Sequence, residues 1–268
     1  MVNLAILAVG VWMLARGVNR LAWIGVVLSA LPFVIVLGRI MFARQGRTKP
    51  HYPLSALISA AGFLLAIFGW LTQGAEILAP VIAAAALTGF IAYDYWYSKL
   101  HRRNDLQITV GKALPDFVLK RVGSGILRPA DLVGKPSILI FYRGNWCPLC
   151  MAQIKELAGE YNKLESMGVR VCLISPQPQS HTADLAEKVG VNFDFLIDED
   201  NMAAKILGID IKNGIPMGMQ VMGYSSETVL PTVVITDKEG VVIWLDETDN
   251  YRVRPEPQTY FEVLQGQI

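Results

Sequence analysis

The chain has 268 residues, 53% of them hydrophobic and only 18% charged, with a net charge of +1 and a mean hydropathy of +0.38; this balance excludes an ordinary soluble protein. The charge is divided unevenly. Residues 1–105 carry 9 Lys/Arg and 3 Asp/Glu, residues 106–268 carry 15 and 20, and the acidic second part makes nucleic acid an unexpected partner.

In chain order, the first apolar run spans residues 2–15 and ends at Arg16. It lacks the basic start and small-residue cleavage site of a signal peptide and is read as a short retained span. Runs 21–42, 54–71 and 77–97 follow, each with the ~20 apolar residues needed to cross a hydrocarbon layer of ~30 Å as a helix. Trp12, Trp23, Trp70 and the cluster Tyr93, Tyr95, Trp96, Tyr97 lie near span ends, where amphipathic rings settle at headgroup level, and Asp94 sits among them as an interfacial acid. Gly62, Ala66 and Gly69, and Ala83 to Ala86 with Gly89, form small-residue faces along which helices can approach.

The last two long runs form a hairpin whose connection, Thr72-Gln73-Gly74, has no basic residue. Both flanks are basic: Arg44, Arg47 and Lys49 before it, Lys99, Arg102 and Arg103 after it. The positive-inside rule then predicts a bacterial inner-membrane protein with both flanks, and all that follows, on the cytoplasmic side, although Arg16 and Arg20 fall outside. No cysteine precedes residue 147, so these spans cannot relay electrons by thiol exchange, and anchoring in the lipid bilayer is their expected role.

Residues 106–268 alternate between strand-like and helix-like segments. Strands are predicted over 137–143, 169–175, 193–198, 231–237 and 241–246, the last two joined by the turn Lys238-Glu239-Gly240. Helices are predicted after Pro148, with Ile154, Leu157, Tyr161 and Leu164 on one face, over 180–190 and 200–209, and from about Gln258. The expectation is an all-α transmembrane region (residues 1–105) followed by one α/β domain (106–268) with a central mixed β-sheet flanked by helices.

Two of the three cysteines, Cys147 and Cys150, stand three apart in Phe141-Tyr-Arg-Gly-Asn-Trp-Cys-Pro-Leu-Cys150. Cys147 ends an apolar strand and Pro148 suits the first position of a helix, where no N–H donor is needed. A Cys147 thiolate would there face unpaired N–H groups and the positive end of the helix dipole, which depresses its pKa. Cys150, one turn along, can close a reversible disulfide with it. A zinc site would need about four ligands, and Cys172, His51, His101 and His181 offer no ligand spacing. A purely structural disulfide would restrain almost no chain. Cys172, in a strand, reads as a buried apolar residue.

Trp146-Cys-Pro-Leu-Cys150 after an apolar strand, with Leu230-Pro-Thr-Val-Val-Ile235 some eighty residues later, resembles the thioredoxin superfamily. The wider pattern extends from Gly111-Lys-Ala-Leu-Pro115 to Asp249-Asn-Tyr-Arg-Val-Arg-Pro255 and takes in Ile174-Ser-Pro-Gln177. It is similar to peroxiredoxin-like redoxins of the alkyl hydroperoxide reductase/thiol-specific antioxidant family. The resemblance implies a thioredoxin-like fold with Pro231 in the cis form beside the dithiol. Laid on the peroxidase pattern, the peroxidatic cysteine falls on Cys150, its threonine on Cys147, its proline on Arg143 and its arginine on Pro231, so the three supporting groups are missing from their places. The resemblance therefore implies, first, a thiol-disulfide oxidoreductase. Cys147 would attack a protein disulfide, Cys150 resolve the mixed disulfide, Pro231 shape the groove and Trp146 shield one flank. The buried aspartate of thioredoxins is replaced by Phe141. The alternative is a thiol-dependent peroxidase with Cys150 peroxidatic and Cys147 resolving, reduced by a donor such as thioredoxin or glutaredoxin.

Arg143 is a candidate to depress the thiolate pKa, its competing role being a solvated strand-end charge. No cofactor is expected beyond the Cys147–Cys150 couple, and the scattered glycines match no phosphate loop. Met217, Met219 and Met222 could form an adaptable docking surface or fill core gaps. A third reading, from a different class, is a membrane-tethered binding module with a vestigial dithiol.

Overall fold

The computed structural model describes residues 2–42, 45–74, 76–100, 105–216 and 218–266. His101, Arg102, Arg103 and Met217, singled out above, lie outside the described residues. The chain divides into two compact units, Met1–Ala43 with Lys49–Lys99 and Arg44–Thr48 with Leu100–Ile268.

The first unit holds four helices: α1 (Val2–Ala15), α2 (Arg20–Met41), α3 (Pro53–Gln73) and α4 (Leu78–Ile91), the last continued by a π-helical turn, Ala92–Tyr97. Three are long and apolar enough to cross a membrane: α2, α3 and α4 with its π turn. α3 turns Leu54, Leu57, Leu64, Phe68 and Leu71 outward, a face that water disfavours and lipid tails accept. Its inner face is small. A Cβ added to Gly62 would stand 2.5 Å from the Ser29 nitrogen and 2.7 Å from the Gly25 oxygen, so α2 and α3 touch backbone to backbone. Ser29 and Ser59 exchange hydroxyl-to-carbonyl hydrogen bonds across the contact at 2.8 and 2.7 Å. Gly62, Ala66, Gly69, Ala83 and Ala86 all lie buried on these faces.

Among the residues expected at the interfacial belt, Trp23, Tyr93 and Asp94 are buried within the helices. Trp23 is buried in the helix cluster with Ala22, Val26 and Ala30, because the small residues around it leave a ring-sized gap. Asp94 is fully buried in the π turn rather than wet: it accepts the Tyr52 N–H at 3.1 Å, at the start of α3, and lies 3.5 Å from His51 Nδ1.

In the second unit the strands are β1 (Leu119–Arg121), β2 (Ile126–Leu127), β3 (Ser137–Phe141), β4 (Arg170–Ser175), β5 (Asp194–Ile197), β6 (Asp210–Ile211), β7 (Thr228–Val229), β8 (Thr232–Thr236) and β9 (Val242–Glu247). The helices are α5 (Pro148–Gly159), α6 (Tyr161–Ser166), α7 (Gln179–Val189), α8 (Met202–Leu207) and α9 (Pro257–Gln265). Seven strands make one sheet in the order β2-β1-β5-β4-β3-β8-β9, while β6 and β7 pair separately. The sheet is mixed: β3, β4 and β5 run parallel and the outer pairings are antiparallel. β3 is buried at every position, as an apolar run covered on both faces must be. Phe141, Leu139, Cys172, Ile174, Leu196 and Val234 share one core cluster with Leu207 of α8. The helix predicted after Pro148 is broken at Glu160 (φ −97°, ψ 10°) into α5 and α6. Asp198 accepts the Ala203 and Ala204 N–H groups at 2.7 and 2.9 Å and so satisfies the first turn of α8.

Candidate active site

The central strand β3 ends at Phe141, and the chain turns through Tyr142 to Trp146 into α5. This is the carboxyl end of a parallel strand, where open α/β sheets place their sites. Cys147 is the N-cap residue of α5 in extended conformation (φ −91°, ψ 108°), and Pro148 is the first helical residue. The turn needs glycine at 144: its φ is +141°, and a Cβ there would meet Trp146 Nε1 at 2.7 Å.

Around this turn, backbone and side chains are tied down from three directions. Thr228 Oγ1 donates to the Arg143 carbonyl at 2.9 Å. The Asn145 N–H donates to Gln177 Oε1 at 2.8 Å, and Gln177 Nε2 donates to the Tyr142 hydroxyl at 3.0 Å and to Thr182 Oγ1 at 3.2 Å. Tyr224 donates its hydroxyl to Asn145 Oδ1 and stacks on His181 at 4.8 Å.

Cys147 and Cys150 are both buried free thiols with their sulfurs 2.9 Å apart, close enough to share one S–H. The pair is an asymmetric acid. Burial pushes the Cys150 thiol up, but the hydrogen bond from Cys147, the Arg254 guanidinium, and the backbone N–H and charge of Arg143 together bring it down to about 6. Cys147 moves the other way, held well above the ordinary thiol range by the hydrogen bond to Cys150, by burial and by the Cys150 charge. The guanidinium charges of Arg254 and Arg143 thus favour ionisation of Cys150 over Cys147, a bias opposite to the one the helix-start position implied. Both sulfurs are buried, and Arg254 Nη2 stands 3.8 Å from Cys150 Sγ. Tyr142, fully buried alongside, has its hydroxyl pK raised by burial and by the Cys150 charge, so it stays a neutral phenol.

The remaining predicted residues fall in the same neighbourhood with altered roles. Arg143 is half-buried rather than a solvated strand end: it donates through Nη2 to the Gly214 carbonyl, and its guanidinium carbon lies 4.8 Å from the Trp146 ring centroid. Trp146 thus packs against Arg143. Pro231 immediately precedes β8, whose Thr232 pairs with Phe141 of β3, but the Leu230–Pro231 peptide is trans, not cis. The ordinary preference for trans applies there. Met219 and Met222 form a short 3-10 turn with Met222 exposed.

Arg254 and Gln177 were not legible as site residues. Both sit in motifs of the family pattern, yet nothing local marks either one; Arg254 is 104 residues from the sulfur it faces.

Residues 110–245 match the AhpC/TSA family. The chain belongs to that family. Thiol-disulfide oxidoreductase ResA of Bacillus thuringiensis is 25% identical over 168 residues, covering 63% of this chain and 86% of that protein. Peroxiredoxin Bcp of Bacillus subtilis is 24% identical over 139 residues, covering 52% and 84%. The crystal structure of reduced Prx3 in complex with H2O2 from Vibrio vulnificus superposes with a TM-score of 0.51 at 18% identity, covering 59% of this chain and 99% of that one; it establishes the thioredoxin-like peroxiredoxin fold. AhpC/TSA relatives named for disulfide chemistry and for peroxide chemistry are alike oxidoreductases, and so is this chain.

Proposed function

We propose that the protein is a membrane-anchored thiol peroxidase working through the Cys147–Cys150 couple, with the domain on the cytoplasmic side. The observation that carries this reading is the Cys150 sulfur, without solvent exposure, 2.9 Å from the Cys147 sulfur and 3.8 Å from Arg254 Nη2. A sulfur so enclosed is more readily reached by a molecule the size of a peroxide than by a polypeptide disulfide. The Cys150 thiolate attacks one peroxide oxygen, the O–O bond breaks, and the leaving oxygen takes a proton as water or alcohol. Arg254 and the Arg143 N–H are placed to hold the reacting charge. Cys147 then attacks the Cys150 sulfenic acid, forming the disulfide and expelling water. An external dithiol, of the thioredoxin or glutaredoxin type, restores both thiols by exchange. No dissociable cofactor enters the cycle.

A second reading, thiol-disulfide exchange led by Cys147, is favoured by its place at the helix start and by the likeness to ResA. The deciding experiment follows hydrogen peroxide consumption by the full chain in detergent, with insulin reduction in parallel. Turnover lost in Cys150→Ser, with a single sulfenate trapped on Cys150 in Cys147→Ser, supports the peroxidase. Insulin reduction dependent on Cys147 with negligible peroxide turnover selects the exchange reading. A reporter fused to the C-terminus that is active only in the periplasm overturns the cytoplasmic placement.

A further inference from the structure

Arg254 faces Cys150 from a stretch with no strand or helix to hold it: residues 253–256 are irregular, between β9 and α9. Its own Nε bond goes to the Tyr251 carbonyl at 3.2 Å, inside the same stretch, so it travels with the segment. The position of the guanidinium has to be set by contacts that join this stretch to the helix carrying Cys150.

Residues 45–48, which group with the second unit, make those contacts. Arg47 Nη1 donates to Glu156 Oε2 of α5 at 2.9 Å, and Arg47 Nε donates to Glu256 Oε1 at 2.9 Å. The Thr48 N–H donates to the Arg252 carbonyl at 2.7 Å. Gly46 lies so close to α5 that a Cβ would meet the Gln153 Cβ at 2.6 Å and its Cα at 2.7 Å. Arg254 is thus bracketed two residues before, at Arg252, and two residues after, at Glu256, and the bracket is fastened to α5 one and a half turns beyond Cys150. Neither Arg47 nor Glu256 falls in the stretch matched to the family, 110–245.

We propose that Arg47 is a positioning residue of the redox site: by bridging Glu156 and Glu256 it holds the Arg254 guanidinium against the Cys150 sulfur. Arginine suits the task because its planar fork presents Nε and Nη1 to two carboxylates at once, where a lysine ammonium is a single point charge. The two bridges are unequal. Glu156 is largely shielded, while Glu256 is mostly exposed and its bridge is weakened by solvent and salt. The Cys150 charge is balanced by Cys147, Arg254 and Arg143, and Arg47 acts through Arg254.

The inference rests on Cys150 being the reactive thiolate, and its test needs neither peroxide nor reductant. The reduced full chain in detergent is alkylated with iodoacetamide across a pH series, with Cys150 modification read by mass spectrometry. For Arg47→Met the midpoint of the pH profile rises by about one unit and the rate near pH 6 falls about fivefold, while the rate near pH 9 is unchanged because the thiol ionises there in either case. Arg47→Lys, which keeps one bridge, gives an intermediate midpoint, and Glu256→Gln a smaller rise in the same direction. A role in folding alone would lower the melting temperature without moving the midpoint. Folded Arg47→Lys and Glu256→Gln proteins that both titrate like the wild type overturn the proposal even if Arg47→Met does not fold. A shifted midpoint in a protein that consumes no peroxide retains Arg47 in its role and removes the peroxidase reading instead.

Discussion

The two units pack closely with opposite residue types. In the apolar helices contact is made where side chains are absent: Gly62 meets the backbone of α2, and the directional bonds are Ser29 and Ser59 hydroxyls on each other's carbonyls. In the sheet unit contact is made by the largest apolar side chains, with Ile138, Leu139, Ile140 and Phe141 of β3 filling both faces of the sheet. The difference follows from the medium. In water, burying a Leu or Ile side chain gains about 1.5–3 kcal/mol. Against lipid tails as apolar as leucine that gain vanishes, and close backbone approach and hydrogen bonds remain. Glycine is therefore needed for close helix approach in one unit, whereas in the other it is needed chiefly where the backbone turns with positive φ, as at Gly144.

The comparison breaks most sharply at Gly62. Gly62→Leu places a side chain where the α2 backbone already stands, and overpacking of this kind costs roughly 3 kcal/mol or more. Thermal unfolding of the purified chain in detergent should begin at a lower temperature, with α2 and α3 exposed to protease; an unchanged melting profile would show that the two helices do not depend on this contact.

An intermediate effect is expected at Arg254, where a charge rather than a volume holds the local structure. Cys150 has a depressed pKa, so its reactivity should rise with pH through about 6 and level off above. Arg254→Met removes the cation 3.8 Å from the sulfur, which should raise the midpoint by about one to two units, with reactivity lost at pH 6 and recovered at alkaline pH. Iodoacetamide kinetics against pH measure this directly, and an unmoved midpoint would assign the low pKa to Arg143 and the backbone.

The smallest effect sharpens the comparison from the other side. Gly159 ends α5 with nothing within 4 Å of its added Cβ. Gly159→Ala should stabilise the domain by about 0.5–1 kcal/mol, read as a higher midpoint in urea. Destabilisation there would mean that α5 needs a flexible end.

Much of the architecture was legible because long apolar runs have few solutions. The run at 21–42 emerges as α2, Arg20–Met41, and the continuous apolar strands β3 and β8 lie where their patterns put them. What escaped had too little sequence to carry a period. β1 and β2 are three and two residues long, and the break at Glu160 is invisible to a helical pattern that runs through it from Ile154 to Leu164. At the site, the Cys147–Pro148 helix start was legible from local rules. The holder of the negative charge was not, because Arg254 arrives through tertiary structure and buried hydrogen bonding reverses the order that the helix dipole alone suggests.

Cys172 supplies a different kind of consequence. It is wholly buried in β4, and its thiol is pushed up to about 12 by burial and by the charge of Asp194. An alkylating reagent at neutral pH finds almost no thiolate there while the fold is intact. The position of the label on one molecule thus gives two readings: a label on Cys150 reports a reduced pair, and a label on Cys172 appears only when the sheet opens. The chain carries its own unfolding alarm, written in the same chemistry as its redox state.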